Sequence, residues 1–184
     1  MMRRRSLGLV AVVFVFAGML GSHAQEPKPE PPKPKPDDVK SIDSIITALY
    51  DVISGDKGQE RDWGRFRSLF VPGARLIPVA KPQDGSAPTA RVLEVEEFVK
   101  FAAESSKQQG FFENEIAHKV EQFGAIAHVF STYESKHEKD GKPFDRGINS
   151  IQLMNDGTRW WVVTIYWDRE SPATPIPAEY LPKK

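Results

Sequence analysis

Apolar positions recur at helical spacing in three stretches of the chain. In "SIDSIITALYDVISG", Ile42, Ile45, Ile46, Leu49 and Ile53 fall on one face, and Gly55 ends the run. In "DWGRFRSLF", Asp62 is a candidate N-cap and Trp63, Phe66 and Phe70 share one side; Pro72-Gly73 closes it. In "VEEFVKFAAESSK", Phe98, Val99 and Ala102 point inward, with Gly110 near the end. Between the second and third helices, "ARLIPVA" reads as a strand, with Pro78 marking an edge or bulge. The loop "KPQDGSAP" and a short strand "TARVL" follow.

After the third helix the period becomes that of strands. "FFENEIAHKVEQ" sets Phe112, Ile116, His118 and Val120 against Glu113, Glu115, Lys119 and Glu121. "AIAHVFSTYES" is apolar on both sides, and the loop "KHEKDGKPFD" leads to "RGINSIQLM" and "RWWVVTIYWD". The predicted class is α+β: helices laid on one face of a curved sheet that ends in a four-strand antiparallel meander.

The last strand does not alternate. From Trp160 to Trp167 only Thr164 is not apolar, so both faces need cover. A two-residue turn at Asp156-Gly157 would pair Asn155 with Thr158. Trp161 then lies opposite Gln152, Val163 opposite Ser150, Ile165 opposite Ile148 and Trp167 opposite Arg146. This face mixes aromatics with convergent polar groups, as small-molecule pockets do. The other face carries Trp160, Val162, Thr164 and Tyr166 opposite Leu153, Ile151 and Asn149. It is more aliphatic, and self-association through the face carrying Trp160, Val162 and Tyr166 is expected.

Composition bounds the rest. Arg3, Arg4 and Arg5, the apolar run Leu7–Leu20 and Ser22-His23-Ala24 read as a secretory signal peptide over 1–24. Residues 25–38, "QEPKPEPPKPKPDD", alternate proline with charge and read as a stiff solvated spacer. One domain remains, 39–181. A periplasmic or secreted protein without a stable membrane span after processing is expected. No cysteine is present, which excludes a disulfide framework. Loss of the three leader arginines from 25 basic side chains leaves 22 against 25 acidic ones, a balance that argues against nucleic acid as a partner.

The helix pair ending "RFRSLFVPGARLIP", the strand "FGAIAHVFSTYES" and the hairpin "DGTRWWVVTIYW" resemble the nuclear transport factor 2-like (NTF2-like) superfamily, specifically exported members of its SnoaL-like branch, of the DUF4440 type. The resemblance covers about residues 40–169. It implies a cone: three helices packed on the concave face of a curved, mainly antiparallel sheet, with a pocket between them and Trp161, Val163, Ile165 and Trp167 pointing in. It also implies dimerisation through the sheet and functions ranging from isomerases, dehydratases and hydrolases to non-enzymatic binders, so the fold alone assigns none. The carboxylate base and tyrosine–acid pair of the family's steroid isomerases have no residue-by-residue counterpart here.

The candidate site is built from strand pairing. An even register at Gly124 would bring His118 beside His128, close enough to share a proton. No third ligand with metal spacing accompanies them, and neither metal nor cofactor is expected. Pairing Glu134 with Arg146, a rim ion pair or an anchor for an anionic ligand, sets His128 opposite Gln152. The expected ligand-binding set is His118, His128, Gln152 and Trp161 in one row, Glu134, Arg146 and Trp167 in a second nearer the mouth, and Trp63 as core residue or lid. His128 is the candidate acid-base group. Glu113, Glu115 and Glu121 read as a solvated strand face. Three readings follow: an exported, non-enzymatic homodimer holding a small apolar or aromatic molecule; a lyase, isomerase or hydrolase using His128; and a structural dimer whose pocket is filled by its own side chains.

Overall fold

The computed structural model describes residues 32–82 and 86–183. The leader and most of the spacer lie outside the described residues. Four helices, α1 (Pro36–Val39), α2 (Ile42–Ile53), α3 (Trp63–Ser68) and α4 (Val95–Ser106), accompany seven strands. These are β1 (Phe70–Ala80), β2 (Thr89–Ala90), β3 (Leu93–Glu94), β4 (Phe112–Phe123), β5 (Ile126–Lys136), β6 (Asp145–Asn155) and β7 (Trp160–Arg169). The sheet runs β2-β1-β7-β6-β5-β4, with β3 also on β1. Among the described residues only β1 and β7 pair in parallel, so the sheet is mixed but mainly antiparallel.

Helix starts follow local chemistry. Ser41 accepts from the Ser44 N–H at 3.1 Å, and Asp62 accepts from the Arg65 N–H at 2.8 Å. Glu94 and Glu97 form a reciprocal capping box at α4. The α2 stripe of Ile45, Ile46, Leu49 and Val52 is buried on the inner sheet face, against Val129, Ile151, Leu153 and Val162. Phe66 joins the layers: its ring lies 4.7 Å from Phe70, 5.3 Å from Phe98 and 5.9 Å from Trp63.

The folded part begins before Val39. Pro36 opens α1, and Asp38 is buried, accepting from Arg65 Nε at 2.7 Å and from a second guanidinium nitrogen at 2.9 Å. The end of the proline-charge segment therefore docks rather than remaining solvated. A chain starting at Val39, or Asp38→Ala, should melt several degrees lower, because a two-bond charged contact is worth more than a surface pair. Unchanged thermal unfolding would show the contact to be idle.

The β6–β7 register differs from a two-residue turn. Asn155 pairs with Trp160, so the loop is Asp156–Arg159. Asp156 shapes it, accepting from the Thr158 and Arg159 N–H groups. The pairing then shifts between Leu153↔Val162 and Gln152↔Thr164, leaving Val163 as a bulge. Trp160 and Val162 therefore share the helix-facing side with Ile165 and Trp167, while Trp161, Thr164 and Tyr166 face outward. Trp160 is 7% exposed and Val162 is fully buried, whereas Tyr166 is 44% exposed. The expected association face of Trp160, Val162 and Tyr166 does not exist as one surface.

The outward face has its own cover, the segment after β7. Its short turn of 3-10 helix, Ala178–Tyr180, sets the Tyr180 ring 4.9 Å from Phe130. Thr132 Oγ1 donates to the Tyr180 carbonyl at 2.6 Å, Lys119 pairs with Glu179 at 2.6 Å, and Ile176 is buried. These contacts hold the strap on β4 and β5, while Tyr166 on the outer side of β7 stays 44% exposed: helices cover one face of that strand and an open groove lies over the other.

Candidate functional site

The sheet divides the sequence-predicted residues into two groups. His128 pairs with Gln152 and Glu134 with Arg146, as expected, but all four lie on the outer face. Trp161 shares that face yet pairs with Met154 at the hairpin tip. There its Nε1 donates to Asp156 at 2.6 Å and the Arg159 guanidinium lies 3.5 Å from the ring centre. Arg146 turns away from Glu134 and binds Glu170 at 2.7 and 2.8 Å.

His118 and Trp63 belong to the inner side, as does the ring contact of Trp167 with Phe98, although Trp167 also lines a groove on the outer face. Phe123 and Ile126 close the β4–β5 turn, which sets Glu121 opposite His128 and His118 opposite Ser131. The odd displacement from the expected register turns His118 to the other face. Trp167 pairs with Asn149, beyond the Val163 bulge, and meets the Phe98 ring edge at 6.5 Å. Trp63 packs edge-on against Phe66 in the core layer. The two expected rows are thus reduced to two pairs, His128–Gln152 and Glu134–Arg146.

On the outer face, β5, β6, β7 and the strap enclose an apolar groove of about 440 Å³. Phe130, Ile148, Tyr166, Trp167, Ile176 and Tyr180 line it, and Ser150 adds a hydroxyl. Ser150 Oγ lies 2.9 Å from His128 Nε2, and His128 Nδ1 lies 3.9 Å from Glu121. The serine is thus a polar point backed by an imidazole, and Asp168, Arg169, Glu170 and Thr174 add further polar groups to the lining. A more open groove of about 550 Å³ adjoins it at Glu170 and Pro175, with Glu134, Phe144, Asp145 and Arg146 around it.

On the inner face lies a polar chain that the sequence pattern hid. Asn149 Nδ2 donates to the Tyr50 hydroxyl at 3.0 Å. Tyr50 in turn bonds Ser131 Oγ at 2.7 Å, Ser131 donates to Glu115, and Glu115 accepts from His118 Nδ1 at 2.5 Å. Beside it, Glu113 accepts from Ser135 Oγ at 2.7 Å. Burial pushes the Glu113 carboxyl up to about 7, with the nearby Asp145 charge acting the same way. Burial and the Glu113 charge hold the Tyr50 phenol well above its ordinary range, so it stays a neutral donor. Glu113 and Glu115 are therefore not a solvated face. A bulge at Ile116, between Glu115↔Tyr133 and Ala117↔Thr132, lets Glu113, Glu115 and His118 share the inner side. No buried side-chain polar atom lacks a partner among the described residues. No cluster of three metal-ligating side chains occurs among the described residues, and no helix among them is long and apolar enough to cross a membrane.

The sequence matches no protein-family model and no curated protein. Solved structures do resemble it. A protein of unknown function with a cystatin-like fold from Nostoc punctiforme PCC 73102 superposes with a TM-score of 0.54 at 10% identity, over 74% of this chain and 92% of that one. The Kfla4162 protein of Kribbella flavida gives 0.51 at 10% identity, over 72% and 90%. An NTF2-like protein of unknown function from Silicibacter pomeroyi DSS-3 gives 0.49 at 12% identity, over 71% and 94%. At such identities the likeness is one of fold. What the chain shares with them is an α+β fold, with helices laid on one face of a curved seven-stranded mixed sheet.

Proposed function

We propose that this is an exported, non-enzymatic binding domain that holds a small, mostly apolar or aromatic molecule and works as a homodimer. The ligand seat is the outer groove beneath the C-terminal strap. The observation that carries this reading is the groove itself: about 440 Å³, mainly apolar walls, and polar groups at Ser150, Thr174, Asp168, Arg169 and Glu170 to orient a guest. That volume falls within the usual range for small-molecule sites of roughly 300–1,000 Å³. On the helix side the rings of Trp63, Phe66, Phe70, Phe98 and Trp167 pack against one another in a continuous series. Export rests on the leader over 1–24 and is tested by the N-terminal sequence of protein recovered outside the cytoplasm.

The binding test uses an apolar fluorescent probe such as 1-N-phenylnaphthylamine. Wild-type protein should enhance its emission saturably. Ile148→Arg, which puts a charge into the wall, should weaken binding at least tenfold while thermal unfolding stays cooperative. Equal binding by wild type and Ile148→Arg would remove the groove as the seat.

A second reading is favoured by one geometric fact. Ser150 Oγ, in the groove wall, is hydrogen-bonded to His128, and Glu121 stands on the far side of the same imidazole. A hydrolase, lyase or isomerase acting on a small apolar or aromatic substrate would use His128 as its acid-base group there. The two readings separate on His128→Ala. A binder keeps probe affinity within a few-fold and shows no turnover of p-nitrophenyl esters in either form. An enzyme loses turnover in the variant.

A further inference from the structure

We infer that two copies of this chain join edge to edge through β4, antiparallel and centred on Val120, to form one continuous sheet. This deepens the homodimer part of the reading above and is independent of what the groove binds. β4 is the last strand of the sheet and runs twelve residues, with no strand beyond it among the described residues. From His118 to Phe123 every residue is exposed. A long open edge of this kind presents a row of backbone donors and acceptors to any partner strand.

The ladder to β5 fixes which groups are free. Phe123 and Ile126 flank the two-residue turn Gly124-Ala125 and form a hydrogen-bonded pair. Alternation then directs the backbone of Phe123, Glu121 and Lys119 towards β5, and that of Gln122, Val120 and His118 away from it. A symmetric antiparallel partner must match outward residues with outward residues. Centring on Val120 sets Val120 against its own copy and His118 against Gln122. Lys119 of each copy then faces Glu121 of the other, twice, at the non-hydrogen-bonded positions where Cα atoms approach to about 4.5 Å. The two neighbouring registers allowed by the same alternation put Lys119 against Lys119 or Glu121 against Glu121. Charge therefore selects one register.

Apolar burial points the same way. Val120 is 39% exposed and Phe123 85% exposed. In the selected register Val120 meets Val120 on the inner side, and Phe123 lies over Ala117 of the other copy on the outer side. Lys119 keeps its own Glu179 at 2.6 Å and gains the second carboxylate across the joint.

Sedimentation velocity of the purified protein at tens of micromolar tests this. Wild type should be a dimer. Val120→Pro removes an N–H that the monomer does not use and blocks the new ladder, so it should sediment as a folded monomer. Lys119→Glu or Glu121→Lys alone should weaken the dimer at least tenfold, and the double exchange Lys119→Glu/Glu121→Lys should restore it. The exchange decides the matter even if Val120→Pro unfolds. A wild type that is monomeric at these concentrations overturns both the joint and the homodimer reading. A dimer broken by Tyr166→Lys on the outer face, but not by the β4 variants, keeps the homodimer and overturns the edge joint.

Discussion

Phe66→Ala should destabilise the fold by about 3–5 kcal/mol, the range for truncating a buried phenylalanine. Phe66 is 2% exposed and sits where α3, α4 and β1 meet. It contacts Phe70 and Trp63 on its own segment and stacks on Phe98 of α4, which continues to Trp167. α3 has only six residues, too few to hold its shape by propensity alone. Removing the ring leaves a cavity that Phe98 cannot fill without giving up its contact with Trp167. Equilibrium unfolding in urea should show the loss as a lower midpoint, and a change below about 1 kcal/mol would mean that the layer repacks freely. Phe66→Leu should cost much less, since it keeps most of the volume.

The elements were legible because their signals are local. Helical stripes such as Ile42, Ile45, Ile46, Leu49 and Ile53, with Ser41 as cap, specify α2 without reference to the rest of the chain. The β5–β6 register was legible too, since pairing Glu134 with Arg146 fixes His128 opposite Gln152. What failed was parity. Bulges at Ile116 and Val163 each insert one residue and exchange the faces of everything beyond. Strict alternation therefore put Glu113 and Glu115 in solvent, and Trp160 and Val162 on a partner surface.

The turns misled in the same way. "NDG" suggests a two-residue turn, but Thr158 and Arg159 follow an aspartate able to accept both of their N–H groups, and that favours a longer loop. The strap was hidden for a different reason. "SPATPIPAEYLPKK" has no periodicity, and its role depends on single contacts: Tyr180 on Phe130, and Thr132 to a backbone carbonyl. His128, Gln152, Glu134 and Arg146 lie on the outer face rather than the inner one because these small shifts decide which wall each side chain joins.

Stability should fall as pH rises from about 4.5 to about 7, and Glu113→Gln should remove most of that slope. The carboxyl of Glu113 lies among Ser135, Tyr50, Asn149, Tyr133 and Asp145, and burial raises it from 4.5 to about 7. In the unfolded chain it titrates near its ordinary value. Between the two values the folded state holds a proton that the unfolded state has released, so folding becomes less favourable with each step upward in pH. The contribution is fully present below about 4.5 and fully lost above about 7, and it amounts to at most about 3 kcal/mol for a single group. Asp145, also raised by burial, adds a contribution of the same sign. Glutamine keeps an oxygen for the Ser135 hydroxyl and carries no charge at any pH. Wild type and Glu113→Gln should therefore be nearly equal in stability at pH 4, and the variant should be the more stable at pH 8. Urea midpoints measured at both values would show it. Parallel pH profiles for the two proteins would mean that Glu113 is solvated as an ordinary carboxylate and that the inner polar chain does not enclose it.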